Sequence, residues 1–229
     1  MKMEKNVWLF TFLLSFTAGC CDATTFVAAD QLFSAHVTGN FIVFAYEIIK
    51  GSNSGIWVKL STFPVFITAV ITGGWIATST ANKYTLLMVQ GVLLLVSGML
   101  AYCITSHVVP GPKWATYSIV MLIVFAMGFQ NTFGRIYNKE IYGPTTVMTG
   151  NVTQAALDIY NMLRTKLKDA VILLSLKKHL ILISGFLIGC LTGAVMAKYV
   201  GLSAVAIPGF MLIVSIAAGL WPQGKKQPP

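Results

Sequence analysis

Apolar residues in this chain are grouped into six long runs that are separated by shorter polar stretches. Each run approaches or exceeds the roughly 18–20 apolar residues that a helix needs to cross a hydrocarbon core. The pattern therefore predicts six transmembrane helices. They cover residues 7–29, 60–77, 84–104, 114–133, 180–197 and 202–221.

Two shorter helices are predicted from a tripeptide, Thr-Gly-Asn, that occurs at residues 38–40 and again at 149–151. Threonine and asparagine oxygens are suited to cap the free backbone N–H groups at a helix start, and glycine permits a close approach of the backbone. The surroundings of the tripeptide predict one short helix over 38–50 and a second over 149–163.

The duplication extends beyond the tripeptide. Superposing Asn40 on Asn151 also places Glu47 on Asp158, so an acidic residue follows each asparagine by two helical turns. The chain thus divides into a first repeat, a second repeat and a basic tail that is predicted to be disordered. These parts cover residues 1–109, 110–222 and 223–229.

Each repeat contains three predicted spans and one short helix. Because three is an odd number, the second repeat must enter the membrane from the side opposite to the first, and the repeats are inverted. The predicted fold is therefore an all-α integral membrane protein with six transmembrane helices in two inverted three-span repeats. Each repeat also carries a short re-entrant or interfacial half-helix.

Small residues at every fourth position of the second span in each repeat predict a close-packed helix face. They are Ala69, Gly73 and Ala77 in the first repeat, and Gly185, Gly189 and Gly193 in the second.

The composition supports a membrane location. Of 229 residues, 56% are hydrophobic and 10% are charged, which is too apolar for a water-soluble domain. A formal net charge of +9 would suit nucleic-acid binding, but twelve of the sixteen lysines and arginines fall on the N-terminal side of the predicted topology, as the positive-inside rule requires. We therefore predict no nucleic-acid partner, and we place both termini in the cytoplasm. The twelve are Lys2, Lys5, Lys83, Arg135, Lys139, Arg164, Lys166, Lys168, Lys177, Lys178, Lys225 and Lys226.

An alternative topology with eight spans, in which the short helices also cross, gives the same charge distribution. The length of the short helices decides against it. A helix over residues 38–50 would be only about 20 Å long, whereas a hydrocarbon core is about 30 Å thick. Whether the half-helices are re-entrant or lie at the interface stays open.

Re-entrant half-helices would bring the two tripeptides toward each other near the midplane, with their positive dipole ends facing. Such a site favours polar or anionic solutes. Its candidate residues are Thr38, Gly39, Asn40, Thr149, Gly150 and Asn151. The alternative is that the same residues are ordinary helix caps at an interface.

Asp22 is the only acidic residue well inside a predicted span, and an intramembrane carboxyl is by default a functional candidate. Its repeat partner is the neutral Asn131, which follows Gln130. This asymmetry suits a proton or cation site in one repeat only. The alternative is that Asp22 caps the half-helix of its own repeat. Three secondary candidates are His36, Glu47 and Asp158.

No catalytic residue, cofactor or metal site is predicted. The sequence contains no paired nucleophile and base, no glycine-rich phosphate loop and no histidine-rich metal spacing. The four cysteines fall inside predicted spans, where buried thiols usually serve as inert packing. They are Cys20, Cys21, Cys103 and Cys190.

Four sequence blocks resemble the signature of the YoaK-like family of bacterial multi-span proteins, a domain of unknown function. The blocks are Gly19-x-x-Asp22, Phe33-x-x-His36-x-Thr38-Gly39-Asn40, Gly128-x-Gln130-Asn131 and Thr146-Val147-Met148-Thr149-Gly150-Asn151. The resemblance covers nearly the whole chain. It implies a bacterial cytoplasmic membrane protein and implies no substrate.

The function predicted from the sequence is a small-solute transporter or channel, with its pathway lined by Asp22 and the two tripeptides. Its partners would be the lipid bilayer and a small polar or anionic solute, and a homo-oligomer is compatible with the sequence. The alternative is a structural or regulatory membrane protein without a permeation path. We do not predict an enzyme.

Overall fold

The structure is a computed structural model that describes residues 6–51, 55–105, 112–165 and 169–221. The tail predicted at 223–229 lies outside these residues. All regular structure within them is helical, and it comprises eight α-helices and two short 3₁₀ helices, at Asn138–Glu140 and Gly201–Val205. The α-helices are α1 (Val7–Ala28), α2 (Gly39–Lys50), α3 (Ile56–Ser79), α4 (Thr85–Thr105), α5 (Lys113–Ile136), α6 (Met148–Arg164), α7 (Ala170–Val200) and α8 (Ala206–Ala217).

Five helical segments in the described residues are long and apolar enough to span a membrane. The all-α membrane class is therefore confirmed. The number is five rather than the predicted six because the last two predicted spans fall within one continuous helical segment, Ala170–Ala217.

The predicted sixth span, 202–221, is wrong in its bounds. The chain turns at Gly201, where φ is 62° and ψ is −145°, a conformation that is essentially restricted to glycine. A 3₁₀ helix follows, and α8 then extends for 12 residues to Ala217. The helix ends there because Gly219 takes the left-handed conformation, with φ at 66°.

The predicted fifth span, 180–197, forms only part of α7, which has 31 residues. The helix begins ten residues earlier than predicted because Asp169 caps it. The Asp169 Oδ1 atom accepts hydrogen bonds from the backbone N–H groups of Val171 at 2.8 Å and Ile172 at 3.3 Å.

Helices α1 and α7 pack closely and run in the same direction. Gly185, Gly189 and Gly193 on α7 lie in order against the backbone carbonyl groups of Phe12, Phe16 and Cys20 on α1. A Cβ atom at Gly185 would lie 2.8 Å from the Phe12 carbonyl oxygen. The glycine stripe predicted in the second repeat therefore forms a helix contact.

Helices α3 and α5 form a second parallel pair. Gly73 of α3 lies against Phe129 and Thr132 of α5, and Gly128 of α5 lies against Ala69. The first span of each repeat is thus packed against the second span of the other repeat.

Helix α8 runs antiparallel to α4. Gly98 of α4 lies against Ala206, whereas Gly91 lies against Ile213, about two turns further along α8. These contacts pair the third predicted span of each repeat.

An aromatic cluster at one end of the bundle joins residues from the ends of several helices. The Phe10 ring lies 4.1 Å from the ring of Trp221 and 6.2 Å from that of Tyr84, measured between centroids. Phe10 is in the first turn of α1, Tyr84 precedes α4, and Trp221 follows α8. We call this end the N-terminal end and the opposite one the far end.

Tyr84 lies outside the membrane-spanning part of α4, next to the 2.7 Å salt bridge between Lys83 and Glu140. Burial, and then the nearby Glu140 carboxylate, raise the pKa of Tyr84 above its ordinary value. The Tyr84 phenol therefore stays neutral to a higher pH than an exposed tyrosine does.

Each short helix lies antiparallel to the first turns of the long helix that follows it. On α2, the Phe41 ring lies 5.3 Å from that of Phe63, and the Phe44 ring lies 5.8 Å from that of Trp57. Helix α2 therefore begins about 10 Å along α3 from its start and returns to the far end. Helix α6 packs on the start of α7 in the same way, through Asp158 and Ser175.

Candidate functional site

The Asp22 carboxylate binds the loop that precedes α2. Its Oδ1 atom accepts backbone hydrogen bonds from Ser34 at 2.8 Å, Ala35 at 2.6 Å and His36 at 3.2 Å, and Oδ2 accepts a further one from His36 at 3.1 Å. The residue is 4% exposed. The chain reaches it through Asp30 and Gln31, which both have positive φ values, so the loop turns back along α1.

Asn40 and Asn151 hold equivalent loops by equivalent bonds. Asn40 Nδ2 donates to the Phe33 carbonyl at 2.8 Å, and Asn151 Nδ2 donates to the Pro144 carbonyl at 2.8 Å. In each case the bond closes a seven-residue loop before the helix. Asn40 also donates to Thr62 Oγ1 on α3 at 3.0 Å.

The predicted capping role of the tripeptides is wrong. The N-cap residues of α2 and α6 are Thr38 and Val147, and neither helix has a side-chain cap bond. Thr149 instead lies in the first turn of α6. The asparagine oxygen that was expected to cap α2 accepts the backbone N–H of Phe33 at 2.8 Å, because the amide faces back across the loop.

The glycines of the two tripeptides have different surroundings. Gly39 lies against the side chains of Phe33 and His36, whereas Gly150 faces open space. Thr38, Thr149 and Gly150 are exposed.

Asn131 occupies the repeat position of Asp22 but makes different bonds. Its Oδ1 atom accepts a hydrogen bond from Thr146 Oγ1 at 2.7 Å, and its Nδ2 atom donates to the Met127 carbonyl of its own helix at 3.1 Å. The amide therefore contacts the loop before α6 through a side chain, whereas Asp22 contacts its loop through the backbone.

Gln130 joins three helices and the second loop. Its Nε2 atom donates to the Leu14 carbonyl of α1 at 2.8 Å and to Thr145 Oγ1 at 2.9 Å, and its Oε1 atom accepts from Gln90 Nε2 of α4 at 2.7 Å. Gln130 is 1% exposed and Gln90 is fully buried.

Gln90 was missed by the sequence analysis. The available signal was a single amide within the apolar run of α4, but the residue belongs to neither motif. Intramembrane polar residues of this kind usually form hydrogen bonds across helices, as the Gln90 Nε2 atom does to Gln130.

The secondary candidates take part in contacts with neighbouring elements. His36 binds Asp22 through its backbone. Asp158 Oδ2 accepts from Ser175 Oγ at 2.7 Å and lies 3.4 Å from His179 Nδ1, which connects α6 to α7. Its repeat partner Glu47 lies near the buried Lys59 amine on α3, which donates to the Asp30 carbonyl.

The two tripeptides have no hydrogen bond to each other in the described parts of the chain. The first loop reaches α1 at Asp22, and the second reaches it at Leu14 through Gln130. Eight residues of α1 separate these levels, which corresponds to about 12 Å. The loops therefore enter the bundle from opposite ends.

A first cavity of about 430 Å³ lies between α1 and α7 toward the far end. Asp22 and His36 contribute polar groups, and the remaining walls are mostly apolar. They include Phe26, Val27, Phe33, Phe186, Cys190 and Ala194.

A second cavity of about 380 Å³ lies between α3 and α5 toward the N-terminal end. Its lining contains more polar groups, which are contributed by Asn131, Thr132 and Arg135 of α5.

The two cavities are lined by equivalent positions of the two repeats. Four pairs on α1 and α5 are Asp22 with Asn131, Ala23 with Thr132, Phe26 with Arg135, and Val27 with Ile136. Two further pairs on α7 and α3 are Phe186 with Val70, and Cys190 with Gly74. The duplication therefore includes the cavities.

No group of three histidine, cysteine, aspartate or glutamate side chains in the described residues is placed to hold a metal ion. The polar groups described above are amides, hydroxyls and carboxylates engaged with backbone or with each other. This donor set is suited to hydrogen bonding.

Long apolar helices, together with two short helices that begin inside the bundle, define a multi-pass α-helical membrane protein. The profile of the family described as "Protein of unknown function (DUF1275)" matches residues 10–218. The chain therefore belongs to the DUF1275 family, and its predicted membership of an uncharacterised family is confirmed. No curated protein and no solved structure matches the chain.

Proposed function

We propose that this protein moves a small polar or anionic solute across the membrane by means of two inverted repeats. The observation that carries the proposal is the pair of cavities lined by equivalent repeat positions at opposite ends of the bundle. In transporters with inverted repeats, two such openings are used in turn, while one repeat moves against the other.

The path of the last helical segment supports six crossings. Ala206 lies beside Gly98 of α4, and Trp221 lies 5.2 Å from Tyr84 between ring centroids. The segment therefore follows α4 to the N-terminal end. A 3₁₀ helix of 5 residues and an α-helix of 12 residues together rise about 28 Å, close to the thickness of a hydrocarbon core.

The helix directions support inversion of the repeats. In each of the two parallel pairs, α1 with α7 and α5 with α3, the first span of one repeat packs on the second span of the other repeat. The third spans, α4 and α8, pack in an antiparallel manner. A two-fold axis in the membrane plane generates this set of contacts. With the N-terminal end in the cytoplasm of a bacterial cell, the positive-inside rule is satisfied.

We propose that amides and tightly packed glycines form the barrier between the two cavities. Gln90 and Gln130 join α4 to α5, while Gly189 and Gly193 hold α7 against α1. A barrier made of such contacts favours discrete arrangements over continuous deformation, because packed interiors resist small changes of shape. We propose that the solute passes from one cavity to the other when this barrier rearranges.

Filling the first cavity tests the transport proposal. We expect Ala194→Leu to reduce solute flux at least about tenfold, because the larger side chain enters the cavity beside Asp22. The matched control is Val195→Leu, since Val195 is 58% exposed and points away from the cavity. Flux is measured as light scattering by proteoliposomes after addition of acetate, glycerol or urea.

The melting temperatures of both variants are measured in the same detergent, so that a folding defect is recognised. Equal flux through wild type and Ala194→Leu, or no flux of any of the three solutes, would contradict the transport proposal. Either result would favour the structural or regulatory alternative.

The topology is tested with single cysteines in a background without the four native cysteines. We expect cysteines at Lys50 and Lys113 to react with an impermeant thiol reagent added outside intact cells, and cysteines at Asn82 and Arg164 to react only after permeabilisation. All four positions are exposed. Labelling of Asn82 in intact cells would contradict the six-span topology and support eight crossings.

A further inference from the structure

We propose that the loop before α6 binds an oxyanion, such as a carboxylate or phosphate group, through the backbone N–H groups of Thr145, Thr146 and Val147. The inference adds a binding site to the proposed function. It rests on that function in one respect, which is the identification of the bound anion with the transported solute. The evidence is a comparison of the two repeats. In the first repeat, the loop before α2 binds the Asp22 carboxylate at the position where the second repeat is proposed to bind the oxyanion.

The first repeat shows what the loop binds. The backbone N–H groups of Ser34, Ala35 and His36 converge on the Asp22 carboxylate at 2.6–3.2 Å. Successive N–H groups in such a turn form a concave site for an anion. The first loop thus holds a carboxylate supplied by α1.

The second loop has the same construction. The chain bends at residues 145–146 as it does at 34–35. Asn151 binds the Pro144 carbonyl at 2.8 Å, just as Asn40 binds the Phe33 carbonyl at 2.8 Å. In the register of the tripeptides, residues 145–147 are the equivalents of 34–36. The N–H groups of the second loop are therefore placed to converge in the same way.

The second loop lacks the carboxylate. Asn131 stands in the place of Asp22, and its oxygen is bound to the Thr146 hydroxyl. Within the described parts of the chain, the backbone N–H groups of Thr145, Thr146 and Val147 have no hydrogen-bond acceptor. Thr145 and Thr146 are each only 3% exposed. Val147 is 49% exposed, so only the other two residues are buried. Buried N–H groups are rarely left unpaired in folded proteins, so an acceptor from outside the chain is expected for Thr145 and Thr146.

A positively charged residue, Arg135, lies near Asn131 on α5. Arg135 is one helical turn beyond Asn131, and both line the second cavity. Among the described residues, Arg135 has no acidic partner. Helix α6 begins at Met148, directly after the loop, so the positive end of its dipole is adjacent to the loop. The charge of Arg135 therefore makes the surroundings of Asn131 in the second cavity electrostatically favourable for an anion.

The charge asymmetry between the repeats explains why one site is filled and the other is open. An aspartate in the first repeat closes its loop permanently. The asparagine in the second repeat supplies no such carboxylate, so its loop can bind and release an external anion.

An exchange of these two side chains tests the inference. The purified full-length protein is melted in a neutral detergent with increasing acetate, against chloride at the same ionic strength. We expect acetate to raise the melting temperature of the wild type by about 3 °C near saturation. In Asn131→Asp the new carboxylate should occupy the loop, so that the acetate effect disappears.

Two further variants keep the test decisive if Asn131→Asp does not fold. Arg135→Gln should retain the fold but weaken the acetate response several-fold. Asp22→Asn should gain a second acetate response, because its loop would be emptied. A parallel series in nanodiscs of phosphatidylcholine, with and without phosphatidylglycerol, shows whether a lipid phosphate also occupies the loop.

Stabilisation by acetate or by phosphatidylglycerol that is lost in Asn131→Asp supports the inference and identifies the source of the anion. A wild type that responds to neither, or an Asn131→Asp variant that responds as the wild type does, overturns it. Anion binding without solute flux would contradict transport and leave this site intact, so the two failures are distinguishable.

Discussion

Replacing Asp22 with alanine is expected to lower the free energy of unfolding by about 3 kcal/mol or more. The carboxylate accepts four backbone hydrogen bonds from three N–H groups, and Ser34 and Ala35 are buried. Each buried donor left without an acceptor costs about 1–3 kcal/mol. The loss is measured by thermal or denaturant unfolding in detergent, after membrane insertion has been verified.

The matched variant in the second repeat is Asn131→Ala. It removes the bond from the Thr146 hydroxyl, which can rotate toward another acceptor, and the bond that the Asn131 amide donates to the Met127 carbonyl of its own helix. A loss of about 1 kcal/mol is expected. Similar losses in the two variants would contradict the role of Asp22 as the acceptor of its loop. They would favour the other role considered for Asp22, a site for a proton or cation.

The helix positions were largely predictable from the sequence, because apolar runs and helix-start residues are local signals. Helix α1 begins at the predicted residue, and α2 and α6 each begin within one residue of the predicted start. The all-α membrane class followed from the same pattern.

The last two predicted spans were less accurate because their bounds depend on backbone conformation. Hydropathy does not distinguish a glycine within a helix from Gly201, which turns the chain. Hydropathy also did not include residues 170–179 in the predicted helix, because polar and basic side chains interrupt the apolar run there. The helix nevertheless begins at Ala170, since Asp169 caps it.

The candidate site could be predicted only in part. Asp22, Asn131 and the two tripeptides stood out because they are polar residues in a duplicated apolar pattern. Their partners did not, because backbone N–H groups carry no sequence signal. The bond from the Ser34 N–H group to Asp22 and the bond from Gln130 to the Leu14 carbonyl depend on how the loops turn back along α1.

The relation between the cavities required the tertiary structure. The sequence aligned the first spans with each other and the second spans with each other. Each cavity, however, lies between a first span and a second span of different repeats, α1 with α7 or α5 with α3. Sequence alignment of a duplication reports equivalence and does not report which equivalent elements touch.

Replacing Gly189 with leucine is expected to prevent α7 from packing on α1 and to abolish folding. A side chain there would collide with the Phe16 carbonyl group and lie 3.0 Å from the Cys20 backbone nitrogen. Backbone atoms cannot rotate away as a flexible side chain can, so the helices must separate. Overpacking usually costs about 1–3 kcal/mol, and a clash with backbone in the main helix contact falls at or above this range.

Gly74→Leu is the matched control, because nothing lies within 4 Å of a Cβ atom at Gly74. We expect this variant to melt within a few degrees of the wild type, whereas Gly189→Leu should be lost to proteolysis or aggregation on extraction. Gly74 also lines the second cavity, so the folded variant should show reduced solute flux. A stable Gly189→Leu protein would show that α1 and α7 do not pack as described. Full flux through Gly74→Leu would instead separate the second cavity from the permeation path, because the added side chain occupies that cavity without disturbing the helix contacts.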